Sequence, residues 1–281
     1  MGSRRNFIKK GMTVATGLLF ADHAISMDFV SNSKLRKIGF IAGIVDKEMK
    51  ADWKETLKKA VAFGFSEIEG GDEYAPSSKE FVDYCNEIGL KLVASGIDFT
   101  ATADQLQAEF DRINVLGVKY VVIYWPWLTG GPFTLEDCKK TARMLNEVGA
   151  RAKANGLSLL WHNHNLEFHA MEKGLPFDYL MENTDPQLVQ CEMDIYWVKK
   201  GGSDPLQVLR KYAGRISVLH VKDMAPDGDF ICPGRGIIDF VPIFREAEKQ
   251  EIKHYMVERD NEPNGIGCLE SSAEFLKKIS F

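Results

Sequence analysis

Leu159-Leu160-Trp161-His162-Asn163-His164-Asn165-Leu166-Glu167-Phe168 is an apolar run that leads straight into two histidines at i and i+2. On a strand those two positions share a face, so both imidazoles leave the strand end toward one point. Three later segments repeat the design: Val189-Gln190-Cys191-Glu192-Met193-Asp194, Ile216-Ser217-Val218-Leu219-His220 and Tyr255-Met256-Val257-Glu258. Four consecutive strand-like segments thus end in His, Asp, His and Glu. These are the donor types of a divalent cation held by nitrogen and oxygen.

The chain on either side keeps the same rhythm. Strand patterns are predicted over 37–43, 65–69, 90–96, 120–124, 157–164, 188–194, 216–221 and 254–258. Helical patterns fall between and after them, over 52–63, 77–88, 103–116, 135–155, 177–182, 205–212, 240–249 and 269–279. Asp52 is placed to cap the first helix, and Gly89, Gly117 and Gly156 to stop later ones. Eight strand–helix units in about 245 residues predict one α/β domain, a single (β/α)8 TIM barrel. A doubly wound sheet is the alternative. It leaves unexplained why ligand types sit at four strand ends, whereas the C-terminal strand ends of a barrel converge on one mouth.

The chain has 281 residues, 45% hydrophobic and 27% charged, with a net charge of −5. That balance has no broad basic signature, so no nucleic-acid partner is expected. No stretch after residue 30 is long and apolar enough to span a bilayer. The cysteines, Cys85, Cys138, Cys191, Cys232 and Cys268, are scattered without a Cys-x-x-Cys pair. They read as buried free thiols rather than a zinc ribbon or a disulfide framework.

Ser3-Arg4-Arg5-Asn6-Phe7-Ile8-Lys9 resembles the twin-arginine export signal of bacteria, with Ile8 in place of leucine. A modestly apolar stretch from Gly11 to Ala21 and then Ala24-Ile25-Ser26 follow in signal order. Residues 1–30 are therefore expected to be a targeting segment and 35–281 the barrel. The expected location is the periplasm, with no stable membrane insertion once the signal is removed.

The strand ends supply the candidate metal ligands His162, Asp194, His220 and Glu258. Asp194, ahead of Ile195-Tyr196-Trp197, also suits a helix cap or turn. Asp223 is placed to orient the His220 imidazole, and Lys222 shares the face of His220. His164, one step above His162, stands nearer a substrate. Glu258, His164 and Lys222 are thus the candidate catalytic groups. Glu167 and His169 follow in a loop that either contributes to the site or is simply solvated.

Candidate substrate contacts are Glu69, Trp125, Trp127, Glu167 and Arg235. Glu69 ends its strand ahead of Gly70-Gly71, where backbone approaches a ligand easily. The indoles of Tyr124-Trp125-Pro126-Trp127 suit stacking on a sugar face or packing beneath a loop. Arg235, in Pro233-Gly234-Arg235-Gly236, has reach for a phosphate or carboxylate, although the P-loop ending is absent.

From about residue 36 onward the chain resembles the xylose isomerase-like TIM barrels, often called sugar phosphate isomerase/epimerase. The resemblance rests on Gly64-Phe65-Ser66-Glu67-Ile68-Glu69, His162-Asn163-His164 with Glu167-Phe168, Asp194, His220-Val221-Lys222-Asp223, Gly234-Arg235-Gly236-Ile237-Ile238-Asp239, and Glu258. It implies a divalent metal (Mn, Co, Mg or Zn) held by Glu, Asp, His and Glu from strands 5 to 8. Asp194, His220 and Glu258 match that set, and His162 stands where the first glutamate is expected. Epimerases of the family use both glutamates as a pair across the substrate. His-x-His variants resemble its dehydratases and lyases acting on 3-keto sugars.

The implied chemistry is proton removal beside a carbonyl through an enediolate. The expected activity is a metal-dependent isomerase or epimerase of a free or keto sugar. A 3-keto-glycoside lyase or inosose-type dehydratase is the alternative, and a non-catalytic sugar-binding barrel the reading from another class. The expected partner is a small carbohydrate, and the sequence leaves a homo-oligomer open.

Overall fold

The computed structural model describes residues 33–281. The export motif and the whole predicted targeting segment, residues 1–30, lie outside them. Eight parallel strands close a barrel: β1 (Gly39–Ile41), β2 (Glu67–Glu69), β3 (Lys91–Gly96), β4 (Tyr120–Ile123), β5 (Ser158–His162), β6 (Val189–Asp194), β7 (Ile216–Val221) and β10 (His254–Val257). β10 pairs with both β7 and β1, which closes the ring. The predicted (β/α)8 barrel is the observed fold.

Side-chain parity decides what fills it. Leu160, Val218 and Met256 belong to the inner apolar cluster, with Val93, Ala94, Tyr120 and Val122. Two residues further along, the same inward face carries His162, His220 and Glu258. Trp161, one residue out of phase, packs outward on Phe177, with ring centroids 5.1 Å apart. Gly39 leaves room in β1, where a Cβ would meet the Met256 sulfur at 2.2 Å. The missing side chain lets Met256 fill the barrel axis.

The helices are α1 (Asp46–Phe63), α2 (Ser78–Glu87), α3 (Ala103–Leu116), α4 (Leu135–Ala154), α5 (Pro176–Asn183), α6 (Ile195–Lys200), α7 (Pro205–Lys211), α8 (Phe240–Lys249) and α9 (Gly265–Lys278). Thr102 and Thr134 close reciprocal capping boxes at α3 and α4. Asp52 does cap a helix, accepting from the Glu55 amide at 3.0 Å. Its own φ/ψ of −160°/92° breaks α1 there, so a helical turn precedes the predicted start.

Three features depart from the sequence reading. The predicted first strand is short, because Ala42–Val45 turn into a 3-10 helix. A two-stranded hairpin, β8 (Asp223–Met224) with β9 (Phe230–Ile231), follows β7. Finally, Cys232 and Cys268 form a disulfide with Cα atoms 5.5 Å apart, while Cys85, Cys138 and Cys191 are buried free thiols as expected. The pairing joins the loop after β9 to α9, a long-range contact that cysteine spacing does not show.

Candidate metal centre

His162, Asp194, His220 and Glu258 each bring one ligand-type atom to the barrel mouth, all within 4.8 Å of one another. Three are buried, and the Glu258 side chain is 14% exposed. The strand register makes the meeting unavoidable: His162 pairs with Glu192, Asp194 with His220, and His220 with Met256.

Asp194 does two things at once. Its Oδ1 accepts from the Trp197 amide at 2.8 Å and so caps α6, a helix absent from the predicted patterns. Its Oδ2 makes no hydrogen bond although it is buried; Lys222 Nζ is 3.6 Å away. The cap and ligand readings of this aspartate use different oxygens. Asn163 locks the backbone here, accepting from the Asp194 amide at 3.0 Å.

His162 Nδ1 is also buried without a hydrogen bond, its nearest carboxylate oxygen being Glu192 Oε2 at 3.4 Å. Burial, then His220 and His164, hold its pKa well below the usual imidazole range. The ring is therefore neutral and keeps a lone pair for a cation.

His220 is gripped at both ends. Nδ1 lies 2.7 Å from Glu258 Oε2, and Nε2 lies 3.2 Å from both Glu69 and Glu192. Burial opposes its charge, but Glu192, Glu69 and Glu258 outweigh burial and raise its pKa well above normal. Burial raises Glu192 and Asp194 to about 8 each, with Glu69 adding to the rise at Glu192. Burial also works against the charge of Glu258, yet Lys222 and His220 hold it well below the ordinary range. Protons thus balance a cluster rich in carboxylates. Two orphaned buried donors and a mixed nitrogen–oxygen set fit a divalent cation in their place.

Glu192 and Asp260 are site residues that the sequence reading left out. Glu192 shares the inward face of Asp194 two positions earlier, so strand parity was the signal available for it. Asp260 lies beyond the last strand and pairs with the Lys222 ammonium, a contact made by loop geometry. Lys222 is fully buried among Glu258 at 3.2 Å, Asp194 and Asp260. Its ammonium also lies 4.8 Å from the Trp197 ring. Burial disfavours its charge, but the carboxylates, Glu258 first, raise its pKa above normal.

Other expected contacts sort themselves by burial. β5 ends at His162, so His164 lies beyond the strand, yet its ring is only 5.0 Å from that of His162. Its Nδ1 has no hydrogen bond, and it sits between Trp125 and Trp197 at 5.2 and 5.3 Å. Burial pushes its pKa down to about 4. Trp125 is 38% exposed at the mouth. Trp127, expected to contact substrate, is instead 3% exposed and stacked on Phe133 at 3.8 Å. Its indole satisfies its one donor inside, on Glu167 Oε1 at 2.8 Å. Arg235 and His169 are exposed. Arg259, next to Glu258 in the chain, pairs with Glu262.

Glu167 is buried rather than part of a solvated loop. It is a buried staple that also accepts from the His164 amide at 3.1 Å. Burial raises its pKa to about 7. A carboxyl raised on folding contributes its full stability below the unfolded value near 4.5 and loses it as pH climbs through about 7. Relative to the wild type, Glu167→Gln should therefore gain roughly 3 kcal/mol between pH 4.5 and 8. Urea denaturation at the two pH values measures this, and a constant difference would contradict the buried-acid account.

Asp223, placed by sequence to orient His220, turns to the next loop instead. Its Oδ2 accepts from the Gly234 and Gly236 amides at 3.0 and 2.9 Å, and its Oδ1 from Met224 and Ile238. A Cβ on Gly236 would meet Asp223 Oδ1 at 2.3 Å, so glycine is needed for this approach. Asp223→Ala should cost about 3 kcal/mol, since bonds to a charged acceptor are among the stronger ones. It should also speed amide exchange at Gly234, Gly236 and Ile238. Unchanged exchange there would mean the clamp is not what orders the loop.

A closed parallel barrel with a nitrogen–oxygen ligand cluster at the C-terminal strand ends defines the class. The chain belongs to the Xylose isomerase-like TIM barrel family, whose pattern matches residues 57–279. It is 27% identical over 277 residues to an inosose dehydratase of Clostridium perfringens, covering 88% of this chain and 87% of that protein. Its fold superposes on a sugar phosphate isomerase/epimerase from Parabacteroides distasonis with a TM-score of 0.75. That match has 25% identity and covers 86% of this chain and 98% of the other. The IOLI protein, solved with a zinc atom, gives a TM-score of 0.69 at 19% identity, covering 87% and 99%.

Proposed function

We propose that this chain is a divalent-metal-dependent enzyme that removes a proton beside the carbonyl of a keto sugar and eliminates water or an alcohol. The observation that carries the reading is β5 ending in His162. A carboxylate there would complete the two-glutamate pair of an epimerase, and a neutral imidazole does not. Similarity to proteins named inosose dehydratases supports the same choice. His162, Asp194, His220 and Glu258 would hold the metal, which when bound supplies Lewis-acid polarisation of the sugar carbonyl. Its identity is left to measurement among Mn, Co, Mg and Zn.

The chain's own residues supply the rest. His164 carries an unpartnered ring nitrogen beside the ligand cluster and takes the proton from carbon. The electron pair of that C–H bond forms the new double bond as the C–O bond at the next carbon breaks. The proton ends on the departing oxygen, giving water or an alcohol and an unsaturated ketone. The Lys222 ammonium, fixed by three carboxylates, balances negative charge that develops at the mouth. Trp125 and Trp197 flank His164, and Trp125, exposed at the mouth, would stack on the sugar.

The same first step without a leaving group gives the isomerase or epimerase reading. Incubation of metal-loaded protein in deuterated water with 3-keto-glucose and 3-keto-glucosides separates the outcomes. Loss of water or aglycone together with the substrate's α-hydrogen, leaving an unsaturated ketone, is the expected result. Deuterium uptake on carbon with the carbon–oxygen skeleton intact would establish isomerisation instead. Sugar binding with neither elimination nor exchange would support the non-catalytic barrel.

The location we propose is the periplasm. The Ser3–Lys9 motif supports it, and so does the Cys232–Cys268 disulfide, a bond that persists in oxidising compartments.

A further inference from the structure

A cavity of about 660 Å³ adjoins the metal centre on the β1–β4 side of the mouth. Glu69 and Tyr124 form the shared wall. Tyr124 donates to Glu69 Oε1 at 2.7 Å, while Glu69 Oε2 faces His220. The volume lies within the roughly 300–1,000 Å³ of ligand sites and exceeds what one sugar ring fills. None of the proton-transfer groups named above lines it.

The charge of the lining selects the occupant. Five carboxylates, Glu69, Asp72, Glu73, Asp98 and Glu109, face one guanidinium, Arg112. Arg112 is already committed: it holds both Asp72 oxygens at 2.8 Å, Glu109 at 2.9 Å and the Gly96 carbonyl at 2.8 Å. No cation is left for a phosphate or carboxylate. The other acids have internal donors too, Glu73 from the Gly71 amide and Asp98 from Thr100. A carboxylate that is already satisfied once still has lone pairs for hydroxyl groups. The lining therefore suits an uncharged polyol and repels an anion.

We propose that this cavity binds a second, uncharged sugar residue, so that the substrate is a keto-disaccharide whose keto ring sits at the metal. The inference deepens the function proposed above and rests on it for the position of the keto ring. It also excludes phosphorylated sugars as the preferred substrates.

Gly43 provides the test. It lines the cavity, and a Cβ built on it meets no atom within 4 Å. The series Gly43→Ala, Gly43→Val and Gly43→Leu adds bulk by steps at this wall of the cavity. With full-length, metal-loaded protein, the ratio of kcat/KM for a 3-keto-disaccharide to that for 3-keto-glucose should fall in order, by tenfold or more at leucine. Calorimetry reads binding directly, using cellobiose, trehalose and glucose 6-phosphate as probes. At least one disaccharide should bind the wild type, bind Gly43→Leu at least tenfold more weakly, and outcompete the phosphate.

An unchanged ratio across the series would overturn the proposal. So would disaccharide affinity that leucine leaves intact, tighter binding of the phosphate, or no disaccharide binding to the wild type. Absence of turnover on every keto sugar would instead count against the function, while the calorimetric comparison still decides the cavity.

Discussion

Replacing His164 with alanine is expected to lower kcat by about 10²–10⁴-fold, the usual weight of a positioned general base, while the metal stays bound. His164 stands outside the four-residue cluster, beyond the end of β5, with its ring 5.0 Å from that of His162. Its Nδ1 has no partner, unlike Glu258, whose oxygens are taken by His220 at 2.7 Å and Lys222 at 3.2 Å. Glu258→Gln should differ in kind, losing metal affinity together with activity. Metal titration beside steady-state kinetics on both variants distinguishes them. If His164→Ala keeps full activity and Glu258→Gln keeps its metal but not its turnover, the base is Glu258.

Lys222→Met is expected to destabilise the metal-free protein by about 3–5 kcal/mol, the cost of leaving buried charges unpaired. The ammonium is fully buried and faces Asp194, Glu258 and Asp260. Methionine fills similar space but leaves those carboxylates opposed only by His220. A divalent cation restores positive charge among Asp194 and Glu258, so saturating metal should recover much of the loss. Urea denaturation with and without metal reads both quantities. A metal-free variant within about 1 kcal/mol of the wild type would show that Lys222 is not what balances the cluster.

The barrel was legible because each strand is a short apolar run and several helices carry their own start or stop signals. The convergence of His162, Asp194, His220 and Glu258 was legible for a related reason. Strand parity sends alternate residues inward, and a closed parallel sheet brings all strand ends to one rim. Glu192 obeys the same parity and went unassigned because it sits one layer below the strand end. The pairing of Trp127 with Glu167 was not legible, because a sequence does not show that the two satisfy each other beneath a loop. The Asp223 clamp, the β8–β9 hairpin, the Asp260 contact and the Cys232–Cys268 pairing all depend on where loops fold back. Local periodicity carries no information about that.

On the proposed reading, His162, Asp194, His220 and Glu258 together hold one divalent cation. X-ray absorption spectroscopy of zinc-loaded protein tests it most directly, with His162→Ala and Asp194→Asn measured alongside. One zinc per chain is expected, with only nitrogen and oxygen donors at about 2.0–2.2 Å, two imidazoles among them. One imidazole should be lost in His162→Ala, and affinity should fall in both variants. Sulfur scattering near 2.3 Å, or full zinc occupancy undisturbed by either substitution, would place the metal elsewhere and contradict the account.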